Sequence, residues 1–137
     1  MKLKIRKNVL SEALNNVSKA LSSKNIVPIL SGIKFNLTKE KLILTASDND
    51  ITIQTEIEKS EDLEILKTGS IVIKGKYIID IIRKLDSEFI NMEIVDDYKV
   101  LIYTENSEFN LNGIDAREYP PIDLSLNDDF ISLSIKD

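Results

Sequence analysis

The chain has 137 residues, a net charge of −5 and 42% hydrophobic residues, and it contains neither cysteine nor histidine. This length suits one domain with a substantial core. The missing residue types exclude disulfides, thiolate metal sites and acid–base catalysis by histidine. The N-terminus lacks the apolar core of a signal peptide and no run of about 20 apolar residues follows, so we expect a cytoplasmic protein without a membrane partner.

The first predicted elements are a short N-terminal strand and an amphipathic helix. Apolar residues recur at steps of three and four between Val9 and Leu21, which places them on one face of the helix. Asn8 is the predicted N-cap, since its side chain can accept from a free backbone N–H. We expect the helix to end near residues 22–23, because the polar run there favours a turn and Pro28 disfavours helix at the residue before it.

Three strands are predicted after this helix. Alternating apolar residues and flanking turn residues place them at 29–37, 41–46 and 51–57. Gly32 favours a bend in the first of the three. The charged segment 59–62 and the segment 67–69 are predicted connections.

The same order of elements then begins again. A strand at 70–74 precedes a helix with an apolar stripe from Tyr77 to Leu85, and three strands follow at 90–95, 99–104 and 107–111. At an offset of 68 residues Glu12 aligns with Asp80, and the later strands align at an offset of 58. We therefore predict an α+β fold from a duplicated strand-helix-three-strand unit, with both helices side by side on antiparallel sheets.

Positive charge is concentrated around the two predicted helices. Residues 2–24 contain six basic residues and one acid, and residues 74–84 contain four basic residues and one acid. The remainder carries a net charge of −13. Helices that bury their apolar stripes would give the domain one positive face and acidic flanks. Such a face favours weak contacts with phosphate, although many charged helix faces are only solvated.

Four segments resemble the bacterial sliding clamp family, the beta subunit of DNA polymerase III. They are residues 22–33 (SSKNIVPILSGI), 44–51 (LTASDNDI), 108–113 (EFNLNG) and 118–120 (EYP). The resemblance extends from Met1 to about Leu126. It implies that residues 1–126 are the first, N-terminal clamp domain of three, and that 127–137 are the interdomain connection and the start of a truncated second domain.

The resemblance also implies a function without catalysis. Family members form a head-to-tail homodimeric ring that encircles double-stranded DNA and tethers the polymerase for processivity, with the polymerase and the clamp loader as partners of the full-length protein. No cofactor or metal is implied. The pocket for partner peptides belongs to the other domains, so no residue is assigned to it here. The present chain alone is expected to be a monomer that binds DNA poorly, with a Kd no tighter than roughly 10⁻⁴ to 10⁻⁶ M.

Five basic residues are the candidate DNA contacts. The resemblance implies Lys24 and Lys76, which stand at basic positions of the family. Arg83, Lys19 and Arg6 are added from the predicted helix faces, where cations can contact phosphates without reading sequence. For Lys19 and Arg6 an ordinary surface cation is the favoured alternative.

The resemblance places ring closure at edge strands near residues 99–112. Family members often carry basic residues in this region, whereas Asn106 and Glu108 occur here. The resemblance therefore does not identify which charged residues would close this ring.

The sequence leaves two alternative functions to consider, an enzyme and a non-catalytic interaction module. An enzyme could use 48–50 (DND) as a cation site or 96–97 (DD) as paired carboxylates, but the sequence lacks a calcium-loop pattern, a phosphate-binding loop and a nucleophile motif. A non-catalytic interaction module could instead pair its exposed sheet edges with partner proteins. Neutralising Lys24 and Lys76 would leave such a module's binding intact but would weaken a clamp on DNA.

Overall fold

The computed structural model describes residues 1–21, 31–48 and 51–120, together with the backbone of residues 130–135. Two α-helices occur in this part of the chain, α1 (Lys7–Ser18) and α2 (Gly75–Lys84). The strands of the first half are β1 (Lys2–Arg6), β2 (Gly32–Leu37), β3 (Lys41–Ser47), β4 (Thr52–Glu58) and β5 (Leu63–Lys67). Those that follow are β6 (Gly69–Lys74), β7 (Phe89–Val95), β8 (Lys99–Tyr103), β9 (Glu108–Asn112) and β10 (Phe130–Ile135).

The described strands form two five-stranded sheets. Their orders are β5-β1-β7-β8-β9 and β10-β4-β3-β2-β6. Every pair of neighbours is antiparallel except β10 and β4, which run parallel. The predicted α+β fold of helices on antiparallel sheets is therefore confirmed.

The duplicated unit is visible in the order of elements. The units are β1-α1-β2-β3-β4 and β6-α2-β7-β8-β9, with β5 between them. Each unit places its first strand in the sheet of the other unit: Leu3 of β1 pairs with Met92 of β7, and Ile71 of β6 pairs with Phe35 of β2. In both units this strand runs directly into the helix. The strand that follows the helix is not its partner in the sheet.

The core lies between the two sheets and the helix layer. Strand residues such as Leu3, Ile5 and Phe35 are fully buried in it, as are Leu10 and Leu14 of α1. Helix α1 packs against β3 and β4, helix α2 packs against β6 and β2, and the helices contact each other. The prediction that the helices lie side by side is confirmed. Neither of them is long and apolar enough to cross a membrane.

The segment after β9 covers the outer edge of β6. Gly113 donates its backbone N–H to the carbonyl of Tyr98 at 2.8 Å, and Ile114 forms an isolated bridge with Val72 of β6. A methyl group at Gly113 would come within 2.9 Å of the Tyr98 carbonyl oxygen and 2.6 Å of Ile71, so the close approach requires glycine. Tyr119 then packs into a small apolar cluster with Val72.

Helix α1 differs from its prediction at both ends. Lys7 is its first residue, and the preceding Arg6 makes no capping hydrogen bond with its side chain. Asn8 is therefore inside the helix and is wrong as the N-cap. Because β1 leads straight into α1, the backbone N–H of Lys7 is instead satisfied by the carbonyl of Glu88 at 2.8 Å. The helix ends at Ser18 and continues only as a turn to Leu21; the predicted end at residues 22–23 lies outside the described residues.

Strand β5 was not predicted. It pairs with β1, where Leu3 lies opposite Ile65. Leu63 is buried and Ile65 is half-buried, but the apolar Leu66 is on the other side of the strand and is 51% exposed, so apolar residues do not mark one face. Such a pattern is typical of a strand at the edge of a sheet, where one neighbour and only part of one face are covered.

Candidate nucleic-acid interface

Helices α1 and α2 each bury one stripe and expose the other. The buried residues are Val9, Leu10, Ala13, Leu14 and Val17 in α1, and Gly75, Ile78, Ile81 and Ile82 in α2. The exposed residues of the pair, together with the residue after α1, form a surface that we call the helix face: Asn8, Glu12, Asn15 and Lys19, with Lys76, Tyr77, Asp80, Arg83 and Lys84. Because the helices are adjacent, this face is one continuous surface.

Three of the predicted DNA contacts lie on the helix face. Lys76 and Arg83 are exposed on α2 and are seven residues apart, so two helical turns bring them to the same side. Lys19 is exposed directly after α1. None of these three side chains forms an ion pair with another described residue. Their charges are therefore available to an approaching anion.

The helices meet around a pseudo-twofold axis. A cleft of about 50 Å³ between them is lined by Ser11, Leu14 and Asn15 from α1 and by Ile79, Ile82 and Arg83 from α2. Each α2 residue of the cleft is the partner of an α1 residue at the offset of 68 that aligns the two halves of the sequence. The duplication therefore relates positions on the helix face, and it places Arg83 where the first unit has Asn15.

Arg6 has a different environment. Its guanidinium forms ion pairs with Asp62 and with Glu88, and it lies 4.6 Å from the centre of the Phe89 ring. Hydrogen bonding to Asp62, and then to Glu88, raises the pKa of Arg6. The side chain thus joins the end of β1 to the residues before β5 and β7. Its charge is neutralised by protein groups, and the structure does not bring it together with Lys76 and Arg83.

The other cations near the N-terminus are also distributed away from the helix face. Lys2 and Lys4 alternate with the buried residues of β1 and lie on the outer side of the sheet. The ammonium group of Lys7 donates a hydrogen bond to the backbone carbonyl of Leu85, at the end of α2. Lys24 lies outside the described residues. The positive charge counted for residues 2–24 is therefore not one patch, and Lys19 is its only described member on the helix face.

Acidic residues also occur on this surface. Glu12 of α1 and Asp80 of α2 are both exposed on the helix face. They are the pair that the sequence alignment of the two halves superimposes. The expectation of acid confined to the flanks is thus wrong for these two positions, because each helix carries one carboxylate on its outward side.

The acidic pairs considered for an enzyme have structural roles in turns. Asp48 accepts the backbone N–H of Ile51 at 2.8 Å, while residues 49–50 lie outside the described residues. Asp96 and Asp97 adopt φ angles of 48° and 51° in the turn between β7 and β8. Such left-handed conformations suit aspartate in a tight turn. Within the described ranges, no group of three potential metal ligands comes together.

Strand β9 presents the open edge of its sheet. It pairs only with β8 among the described strands. Phe109 and Leu111 pack against the core, whereas Glu108, Asn110 and Asn112 are exposed. The backbone groups on its outer side are therefore free to pair with another strand. This edge belongs to the region 99–112 in which the resemblance implies contact between domains.

Adjacent helices with exposed cations, on paired sheets from a duplicated unit, define a clamp-type domain. The family described as "DNA polymerase III beta subunit, N-terminal domain" matches residues 1–123. The chain belongs to this family, as the four sequence segments predict.

Similar proteins agree in sequence and in fold. The beta sliding clamp of Staphylococcus epidermidis is 37% identical over 140 residues, covering 99% of this chain and 37% of that protein. The crystal structure of the Bacillus subtilis sliding clamp has a TM-score of 0.87 and 38% identity, covering 90% of this chain and 33% of that chain. The Helicobacter pylori beta clamp bound to a DNA ligase peptide has a TM-score of 0.78 and 36% identity, covering 90% and 34%. The chain thus spans about a third of the length of these relatives.

Proposed function

We propose that the chain is the N-terminal part of a ring-shaped sliding clamp that encircles double-stranded DNA and tethers a replicative polymerase. In this proposal residues 1–126 form the first domain, and residues 127–137 connect it to the next. The ring is a head-to-tail homodimer, its partners are the polymerase and the clamp loader, and it catalyses no reaction. The observation that carries the proposal is the helix face, whose four exposed cations form no ion pair with a described residue: Lys19, Lys76, Arg83 and Lys84.

The mechanism follows from what a ring requires. A closed ring stays on DNA by topology, so its inner surface needs attraction to phosphate that is weak and independent of sequence. Lys76, Arg83 and Lys19 supply such contacts, because single charges on exposed side chains can move from one phosphate to the next. Lys24 is retained as a fourth contact on the grounds of the resemblance.

The β9 edge supports the assembly part of the proposal. An uncovered strand can extend its sheet across a boundary by antiparallel pairing with a strand of another domain. The exposed groups beside it, Asn106 and Glu108, are polar and acidic, so the strand that pairs here is expected to carry basic residues. The same edge would serve a pure interaction module, which makes DNA binding by the helix face the deciding property.

The proposal is tested by measuring, by fluorescence anisotropy at low salt, the affinity of this chain for a labelled DNA duplex of 24 base pairs. We expect the double variant Lys76→Ala/Arg83→Ala to weaken binding several-fold and to reduce the slope of log K against log salt by about 0.9 per lost phosphate contact. The control variant is Lys39→Ala/Lys99→Ala. It removes the same charge from exposed positions away from the helices, in the turn between β2 and β3 and in β8.

Equal weakening by the helix variant and the sheet variant would contradict the proposal, since only net charge would then matter. A complex that is sequence-specific or resistant to salt would contradict it as well. An unchanged affinity in the helix variant would favour the interaction module.

A further inference from the structure

The carboxylates of Glu12 and Asp80 are in an unexpected place for a surface that attracts phosphate. Both are exposed on the helix face, and they occupy equivalent positions of the two units. Asp80 lies between Lys76 and Arg83, four residues after one and three before the other, so all three share one side of α2. A phosphate that approaches either cation therefore also approaches this carboxylate.

Neither carboxylate forms an ion pair with a residue that the structure describes. Glu12 has Asn8, Val9, Asn15 and Asn16 at the helical distances of three and four residues, so no cation on α1 is placed to pair with it. It is also beyond the first turn of α1, where the helix dipole would favour an acid. Asp80 has cations within reach along α2 but forms no ion pair with a described residue.

We propose that Glu12 and Asp80 limit how tightly the helix face holds the DNA backbone. This inference rests on the proposed function. Each carboxylate repels a phosphate over a distance comparable to the Debye length, which is about 10 Å at 0.1 M salt. The cations draw the duplex towards the surface, and the two acids reduce the net attraction. A ring with this surface holds DNA loosely enough to move along it.

The experiment neutralises the two acids without changing their shape. Glu12→Gln/Asp80→Asn is compared with Glu64→Gln/Asp97→Asn, which makes the same chemical changes at exposed positions of β5 and of the β7–β8 turn. Binding of the labelled 24-base-pair duplex is measured by anisotropy across a salt series. We expect the helix-face variant to bind roughly three- to ten-fold more tightly at low salt, with a gain that shrinks as salt is raised. The control variant should change the affinity by less than about two-fold.

A second variant tests the opposite direction. Asn15→Asp adds a carboxylate to the helix face, and it should weaken binding relative to the parent protein. Thermal melts monitored by circular dichroism verify that each variant is folded, so that any difference in affinity is a property of the surface.

The outcomes separate this inference from the function on which it rests. If Lys76→Ala/Arg83→Ala weakens binding while Glu12→Gln/Asp80→Asn behaves like its control, the inference is overturned and the DNA-binding function stands. If neither pair on the helix face alters the affinity, the DNA-binding function fails, and the inference fails with it. Equal gains in the helix-face and control variants would mean that net charge acts from everywhere on the protein, which also overturns the inference.

Discussion

Arg6 shows how a cation can be placed near a binding surface and still have another role. The sequence places it at the end of a strand and beside a helix, in a region rich in positive charge. Its partners Asp62 and Glu88 are distant in sequence, and only the pairing of β1 with β5 and β7 brings them together. From the sequence, an ordinary surface cation is the favoured alternative for Arg6; the ion pairs that give it a structural role could not be predicted.

The first prediction at this scale separates stability from binding. Arg6→Ala is expected to lower the thermal midpoint of unfolding, because it leaves Asp62 without its ionic partner and uncovers the Phe89 ring. DNA affinity should change little. Arg83→Ala should do the reverse, since Arg83 is exposed and pairs with no described acid. Melting curves and anisotropy on the same samples measure both quantities; a large loss of affinity in folded Arg6→Ala would restore Arg6 as a DNA contact.

A second residue-scale prediction concerns Asp115 and pH. The Arg117 guanidinium holds the pKa of Asp115 well below its usual range, and the Arg117 backbone N–H and the Tyr98 hydroxyl, at 2.9 and 2.8 Å, lower it further. Because the folded pKa is lower than the unfolded pKa, the stabilisation is present above about pH 4 and is lost as the pH falls towards the folded value.

Asp115→Asn should therefore destabilise the protein most at pH 7, and its effect should diminish below pH 4. Urea unfolding of the parent protein and of the Asp115→Asn variant at pH 7, 4 and 3 measures the difference in their free energies of unfolding. The side chain of Arg117 is 86% exposed, so solvent screening keeps the effect small. A difference between the two proteins that grows on acidification would contradict the assigned cause.

The two helices are the elements that the sequence defines best. Apolar residues at helical spacing predict their buried faces, and Val9, Leu14, Ile78 and Ile82 are buried as expected. Tyr77, which is predicted in the apolar stripe of α2, is instead 50% exposed. The start of α1 could not be predicted, because the group that satisfies Lys7 is a backbone carbonyl 81 positions away. Capping by side chains has a local signal, whereas capping by a distant backbone has none.

Strand β5 illustrates the same limit for sheets. Its pattern is incomplete because only one neighbour, β1, and part of one face cover it. In β2, which has a neighbour on each side, Ile33, Phe35 and Leu37 are buried and alternate with polar residues. The position of a strand in the fold therefore determines whether its side-chain pattern can be recognised in the sequence. For the candidate site, exposure on the helices could be predicted, but the ion pairs of Arg6 could not.

The packing of the helices leads to a prediction at the scale of elements. Leu14 is 1% exposed at the contact between α1 and α2. Leu14→Ala should lower the free energy of unfolding by about 2–5 kcal/mol, through lost apolar burial and the cavity that remains. The matched control is Leu66→Ala on β5, where the side chain is 51% exposed, and it should change stability by less than about 0.5 kcal/mol. Urea unfolding measures both; similar losses would contradict the assignment of the helix contact to the core.

At the scale of the whole molecule, the exchange of first strands makes the halves dependent on each other. β1 lies between β5 and β7 in the sheet of the second unit, and β6 forms one edge of the sheet of the first. Only Thr68 separates β5 from β6, so a chain break there would leave every strand intact. The sheet of the first half would then lack β6 and β10, the sheet of the second half would lack β1 and β5, and both would expose apolar surface.

We therefore predict that residues 1–68 and 69–137, produced separately, each lack a stable tertiary structure and that they form a folded complex when mixed. Dispersion of amide resonances in NMR spectra of each half and of the mixture measures this. The unbroken chain is the control. A half that folds alone as a monomer would show that its sheet does not need the exchanged strand.

The exchange also sets an order of events during synthesis. β1 is synthesised before the other described strands, yet its partner β7 is made only after both helices. By contrast, β6 finds β2 already made. β1 must therefore persist without its central neighbour until β7 has been synthesised, and contacts so distant along the chain form slowly. The lysines on the outer side of β1 keep it charged during this interval, which hinders association with other nascent chains.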